Sequence, residues 1–388
     1  MATISPKTSL TLHLPPSCLQ TCPFDPAYFV VGTYNLHQAA ESEMAQSRDG
    51  SLVLFRIGDD DGITEAQTVP QPSAVLDVRF HPRQGDHQGI LAAVSSTSTL
   101  AIFRLDSTRR LRQVATSRVR GMANDVLFLQ CVWHPVLDHV IAVTDSRGAA
   151  RLLHLDGGWN ITACTDLDIG NSLEAWSIAM SPPLEMDDHD QAVIVYCGGD
   201  DCSLRHTLCS PDLQIPYAPV TIKGQHDAGV TAILPLPLHA ADGGRLVVTG
   251  SYDDRMRVFA VDDLGRQHTV KRPRLVCDTN LEGGVWRLSL VDTQLRIDGL
   301  RRARILASCM HAGPKLVELT GEADGLRWVC KASARFDGHN SMNYASDCVV
   351  AEGGESLRCV STSFYDKLLC LWVVGGGDDK ADGVSSPS

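Results

Sequence analysis

Gly250-Ser251-Tyr252-Asp253-Asp254-Arg255-Met256-Arg257-Val258-Phe259 is the stretch that decides the fold. An apolar run, Leu246 to Thr249, precedes it, a tight polar turn follows, and then apolar and polar residues alternate up to an aromatic. Upstream, His226 follows Gly224-Gln225 and stands before a further strand that opens at Val230. A His at a strand entrance, a hydrophobic strand, a Ser-x-Asp turn and an alternating strand ending in an aromatic make up one blade of a β-propeller. Asp366 precedes Trp372 by six residues, as Asp253 precedes Phe259, and Gly338-His339 lies upstream of it. Two such units about a hundred residues apart imply a repeat array.

The closing alternation recurs seven times along the chain, at Leu52–Ile57, Leu100–Leu105, Arg151–Leu155, Ser203–Leu208, Met256–Val261, Lys315–Leu319 and Leu368–Val373. Successive copies lie roughly 50 to 60 residues apart, which fits four-stranded blades with inserted loops. Inner strands rhyme as well: Leu76 to Pro82 resembles Leu129 to Pro135, and more faintly Leu19 to Pro26. The His81-Pro82 and His134-Pro135 pairs are read as turn caps. The last unit ends near Val374 without a fourth strand, while Thr8 to Pro15 (TSLTLHLP) alternates and has no partner in the first unit. That segment is expected to serve as the outer strand of the last blade and so remove an open edge. The expectation is an all-β, seven-bladed propeller spanning 8–374 as a single domain, with 375–388 a disordered polar tail. Asp59–Gly62, Asp187–Asp190, Ala240–Gly244 and Glu352–Glu355 are expected to be solvated acidic turns.

Composition narrows the functional classes. The 388 residues are 44% hydrophobic and 21% charged, with a net charge of −12 that disfavours nucleic acid and slightly favours a basic partner. No apolar run is long enough to span a membrane, and the N-terminus lacks the profile of a signal peptide. Thirteen cysteines without regular spacing read as free thiols of a reducing, cytoplasmic compartment. Several, including Cys197, Cys277, Cys330 and Cys370, sit in apolar strands as small hydrophobes. The Cys18-x3-Cys22 spacing does not specify zinc, and no metal or cofactor is expected. No nucleophile elbow, P-loop, HExxH motif or dinucleotide fingerprint occurs.

In a propeller the strand entrances and the turns between second and third strands converge on one mouth of the channel, a customary ligand site. Here that set comprises Glu174, Trp176, Asp200, Asp201, His226, Asp253, Asp254, Glu282, Trp286, Arg287, Met310, His311, His339, Asn340, Ser341 and Asp366. His226 with Asp253, and His339 with Asp366, are expected as scaffold pairs within their blades. The sixth unit lacks both: His311 takes the place of the Asp, and its inner strand enters through Glu282-Gly283-Gly284-Val285-Trp286-Arg287. That marks a site, with a local Glu282–His311 pair as the structural alternative. Trp176 and Trp286 stand at equivalent entrances, to face each other across the mouth or to pack into the core.

The runs GSYDDRMRVF (250–259), EGGVWRL (282–288), LASCMHAG (306–313) and GHNSMNYASD (338–347) together resemble the WD-repeat diphthine methyl esterases, often catalogued as diphthine methyltransferases. Pro314 and Cys348 stand where an aromatic is usual in that family. The resemblance implies a cytoplasmic, monomeric carboxylic ester hydrolase without cofactor. It would release methanol from diphthine methyl ester on translation elongation factor 2, late in diphthamide biosynthesis, and contact neither membrane nor nucleic acid directly. Its quaternary ammonium group would take an aromatic wall with carboxylates. On that reading the substrate-binding candidates are Trp176, Trp286, Glu174, Glu282, His339 and Tyr344. The catalytic candidates are His311 as general base toward an attacking water or a neighbouring nucleophile, Arg287 and Asn340 as oxyanion donors, and Ser341, ahead of Cys309, as that nucleophile if one is used. Two other classes remain: a noncatalytic WD-repeat scaffold for protein–protein interaction, and methyl transfer, which the lack of an α/β cofactor-binding segment disfavours.

Overall fold

The computed structural model describes residues 1–37, 47–185, 191–263, 271–295, 300–351 and 356–375. Its strands form seven sheets, antiparallel but for one added strand, each the blade of a propeller. The seven alternating segments are the third strands of successive blades: Ser47–Ile57, Thr99–Leu105, Ala150–Leu155, Leu204–Cys209, Arg255–Val261, Pro314–Gly321 and Leu368–Val374. The inner strands are Pro16–Thr21, Val75–Phe80, Phe128–Trp133, Ser177–Met180, Val230–His239, Arg287–Leu295 and Ala345–Val350, and each touches the next around the ring, the last touching the first.

Closure follows the sequence reading. Thr8–Thr11 pairs antiparallel with Leu368–Leu371, and the Thr8 hydroxyl donates to the carbonyl of Asp61 in the first blade at 2.8 Å. Residues ahead of that strand add something more: Ala2–Ile4 pairs in parallel with Ala334–Phe336 as a fifth strand of blade 6. The N-terminal segment thus stitches two neighbouring blades. The segments 187–190 and 352–355 and the tail from 376 lie outside the described residues.

Apolar packing explains why the blades hold together. There are seven buried hydrophobic clusters among the described residues, one at each interface between neighbouring blades. A strand buried on both faces reads as continuously apolar, as in Ile90–Ser95 and Leu246–Val248, whereas outer strands such as Leu111–Arg118 are mostly exposed. At the closing interface Leu19, Phe29 and Phe55 of blade 1 meet Val360, Leu369 and Leu371 of blade 7, with Leu10 and Leu12 packed alongside.

Close approach between inner strands needs glycine at one recurring place. A Cβ on Gly32, Gly198 or Gly250 would come within 2.7, 2.6 and 2.5 Å of Val75, Val230 and Val285, each at the head of the next blade's inner strand. Beside each glycine a hydroxyl crosses the gap: Ser17 to the carbonyl of Val75 (2.5 Å), Ser177 to Val230 (3.2 Å) and Thr231 to Val285 (2.5 Å). The His-Pro pairs cap turns, His134 Nδ1 accepting from the N–H groups of Val136 and Leu137 and His81 Nδ1 from that of Arg83.

Deleting residues 1–14 is expected to lower the thermal midpoint and to cause concentration-dependent association through the bared edge of blade 7. Leu10→Ala alone is expected to cost about 1–2 kcal/mol, since its side chain is only partly buried. Unfolding curves that match the intact chain would show that the strand does not close the ring.

Candidate functional site

Blades 4 to 7 build one mouth of the channel, and the EGGVWR run shows how local sequence shapes it. Glu282 adopts φ +64°, turning the chain sharply into the inner strand. Gly283 lies so close to the 309–312 turn that a Cβ would sit 2.4 Å from the carbonyl oxygen of Cys309, and one on Gly284 would be 2.6 Å from the Met310 sulfur. Both glycines are therefore required for the sixth-blade turn to nest against the strand entrance. Trp286 N–H then bonds the carbonyl of Ser308 at 2.8 Å, and Asn343 N–H bonds that of Met310 at 2.9 Å. Trp286 and His311 stand on the same rim.

An aromatic arc covers the mouth. Trp286 is in ring contact with Trp176 (centroids 5.3 Å), Tyr252 (5.7 Å) and Tyr344 (5.1 Å). Tyr344 continues to Phe364 (5.5 Å), which meets Tyr365 (5.1 Å) and, from blade 1, Tyr34 (6.2 Å). The two tryptophans do not face each other across a gap; they touch. Carboxylates border the arc: Asp200 and Glu174 lie close enough to Tyr252 to help burial push its phenol pKa up. Neither carboxylate has an ion-pair partner among the described residues. Trp176 Nε1 is buried with no hydrogen-bond partner there either.

At the end of the arc an open depression of about 490 Å³ is lined by His311, Asn340, Ser341, Met342, Tyr365 and Asp366. Three of the four catalytic candidates therefore meet. His311 and Asn340 are exposed, and Ser341 Oγ accepts from the N–H of Tyr365 at 3.0 Å. Arg287 is elsewhere: it is the first residue of its inner strand, points into the channel, donates to the carbonyl of Trp286 (3.2 Å) and lies 5.4 Å from the Trp286 ring centre. Cys309 is fully buried, and burial pushes its thiol up to about 12, which fits packing rather than nucleophilic attack.

Glu282 and His339 also go their own ways. The exposed Glu282 carboxylate pairs with the buried Lys315 ammonium at 2.5 Å, which also donates to the carbonyl of Leu281, so no Glu282–His311 pair forms. His339 Nε2 shares a hydrogen bond with Ser361 Oγ (2.8 Å), to which Trp372 Nε1 also donates (3.0 Å). His226 does the same with Thr249 Oγ1 at 2.9 Å. The expected direct His–Asp bonds are replaced by a relay. Asp253 accepts the backbone N–H of Asp227 (2.9 Å) and Asp366 that of Asn340 (3.2 Å), so each Asp holds the residue after the His. Asp253 is also paired with Arg257 at 2.8 Å.

Sequence reasoning did not single out Tyr252, Phe364, Tyr365 or Tyr34 for the aromatic arc. Each lies in or beside a turn between second and third strands, and their signal was an aromatic at that turn in blades 1, 5 and 7. No group of three or more His, Cys, Asp or Glu side chains among the described residues has metal-binding geometry. No described helix is long and apolar enough to cross a membrane.

Comparison with known proteins fits this architecture. The chain is 27% identical over 345 residues to the diphthine methyltransferase of Schizosaccharomyces pombe, covering 88% of this chain and 90% of the relative. It is 26% identical over 306 residues to that of Mus musculus, covering 74% of this chain and 57% of the mouse protein. The chain is thus similar, over most of its length, to proteins named diphthine methyltransferase. No protein-family profile matches it.

Burial holds the imidazoles of His134, His206, His226 and His339 down to about 4. In the unfolded chain they titrate near 6.5, so the unfolded state binds more protons between those values. Stability is then full above about pH 6.5 and falls as pH drops toward 4. Thermal midpoints taken from pH 7.5 to 4.5 check this, and His226→Gln is expected to flatten the slope.

Proposed function

We propose that this chain acts in diphthamide biosynthesis, hydrolysing the methyl ester of methylated diphthine on translation elongation factor 2. The observation that carries the reading is the continuity of a carboxylate-flanked aromatic arc with an open depression holding His311, Asn340 and Ser341. Diphthine has a quaternary trimethylammonium group and, a few bonds away, the ester. A quaternary ammonium has no proton to donate, so it is recognised by π-faces and by nearby negative charge. Trp176, Trp286, Tyr252 and Tyr344 supply the faces; Glu174 and Asp200 supply the charge.

With the cation on the arc, the ester carbonyl reaches the depression. His311 removes the proton from the attacking hydroxyl, that of water or of Ser341, as a new C–O bond forms and the carbonyl electrons move to oxygen. The Asn340 amide donates to that oxyanion, an interaction worth about 3 kcal/mol where a single donor has been removed. Collapse expels methoxide, which takes the proton from the His311 imidazolium and leaves as methanol. On the Ser341 route one water then releases the acyl group by the same cycle. Either route ends with the diphthine carboxylate, methanol and one proton.

The relatives' printed name, methyltransferase, favours a second reading in which methyl groups are added. The purified chain and methyl-esterified elongation factor 2 decide between them. Hydrolysis predicts methanol release without an added methyl donor, reduced at least 100-fold by His311→Ala. Trp286→Ala is expected to raise KM at least tenfold with a smaller change in kcat. Methyl incorporation from a donor would favour transfer, and binding that survives His311→Ala with no loss of ester in the wild type would favour a scaffold. A pre-steady-state methanol burst equal to enzyme concentration, lost in Ser341→Ala, marks the covalent route.

A further inference from the structure

The channel beneath the aromatic arc holds charge that the proposed chemistry leaves unused. Its carboxylates and amides have fixed tasks. Asp347 accepts the N–H of Thr21 (2.8 Å), Gln20 that of Phe80 (2.5 Å), Asp77 that of Cys131 (3.2 Å) and Gln130 that of Ile178 (2.7 Å). Arg79 Nε lies 3.3 Å from the Asp77 carboxylate. Arg287 is the exception. Its recorded contacts are the carbonyl and the ring of Trp286, with no carboxylate in ion-pair range among the described residues. A guanidinium carries five N–H donors, and burying one unpaired is costly. Burial here pulls its pKa down.

Two cavities meet at this side chain. One of about 60 Å³ lies among Arg287, Arg79, Asp77, Ser289 and Asp347. At about 30 Å³ per water in the liquid, that is room for a carboxylate or a phosphate group and little more. The other, about 230 Å³, runs from Arg287 and Arg79 past Gln130 toward Met180 and Pro235, away from the strand entrances. Trp176, Trp286 and Tyr252 crowd the entrance end, so the route to Arg287 comes from the opposite face.

We propose that Arg287, backed by Arg79, forms a second binding site, for a small oxyanion (a carboxylate or a phosphate) taken into the channel from the face opposite the His311 depression. The planar fork of Arg287 grips two oxygens of the anion in parallel while its flat face stays on Trp286. Asp77 does not compete, because Arg79 and the Cys131 N–H already occupy it. The nearby Asp347 carboxyl, whose pKa burial raises, takes up a proton more readily once an anion sits beside it.

The test uses the purified full chain, titrated with sodium acetate and with sodium phosphate at ionic strength held constant by chloride. Heat and tryptophan fluorescence are the readouts, since the anion sits beside the Arg287–Trp286 stack. Saturable binding of either anion, weakened at least tenfold in Arg287→Gln and less in Arg287→Lys, is the expected result. Ser289→Glu puts a carboxylate into the smaller cavity; it is expected to abolish external binding and raise the thermal midpoint, which keeps the test decisive if Arg287→Gln fails to fold. Binding of acetate or phosphate identifies a free ion as the source. Binding only of a peptide with a free C-terminal carboxylate, and not of its amide, identifies a protein terminus. Absence of saturable binding by all three probes, or unchanged affinity in Arg287→Gln, overturns the proposal. No methanol is measured, so the outcome is independent of the esterase reading.

Discussion

The structure depends on the inner strands being tied to one another without a shared β-ladder. Each inner strand is the edge of its own sheet, leaving a row of N–H and C=O groups that no ladder to the next blade satisfies. Side chains bridge the gap instead. Asp347, Gln20, Asp77 and Gln130 take N–H groups from the next blade, while Ser17, Ser177 and Thr231 donate to its carbonyls. Each neutral bond contributes about 1 kcal/mol net, and the carboxylate ones about twice that. Their larger effect is on geometry, because each one sets the angle between two blades. With the seven interface clusters they join each blade to the next around the ring.

This arrangement also determines what the mouth can be. Tying the inner strands closely requires glycine opposite valine at the blade junctions, and the same economy of space lets Gly283 and Gly284 draw the 309–313 turn inward. The result is a rim on which rings from different blades touch. Trp176, Trp286 and Tyr344 come from strand entrances of blades 4, 6 and 7, and Tyr252 from a turn of blade 5. No single blade supplies all four of these faces. The scaffold imidazoles of His226 and His339, each bonded to a hydroxyl on the neighbouring strand, hold those entrances in place.

Much of the architecture was legible because strand alternation is a local signal. Each of the seven alternating segments lies in a third strand, and the orphan strand Thr8–Thr11 was recognisable by having no partner nearby. Ala2–Ile4 was not, since three residues carry no period and its parallel partner is more than three hundred residues away. For the site, position in the blade brought His311, Asn340 and Ser341 together correctly, because loop convergence is a property of the ring. Side-chain direction was harder. Arg287 and Trp286 are adjacent, yet Trp286, just ahead of the strand, joins the rings of the rim while Arg287, its first residue, lines the cavities of the channel. Glu282 was drawn to Lys315, whose ammonium is buried and must find a carboxylate.

Because Thr8–Thr11 belongs to the blade that ends at Val374, and Ala2–Ile4 to the blade before it, strands made before all seven blades are the last to find their place. During synthesis those strands must wait while some three hundred residues are added, their hydrogen-bonding edges open throughout. Blades 1 to 5 can assemble in order as they emerge, but the ring shuts only once the last blade has emerged as well. A nascent chain stalled short of Leu368 would therefore be an arc with two sticky ends, a natural client for chaperones that shield β-edges.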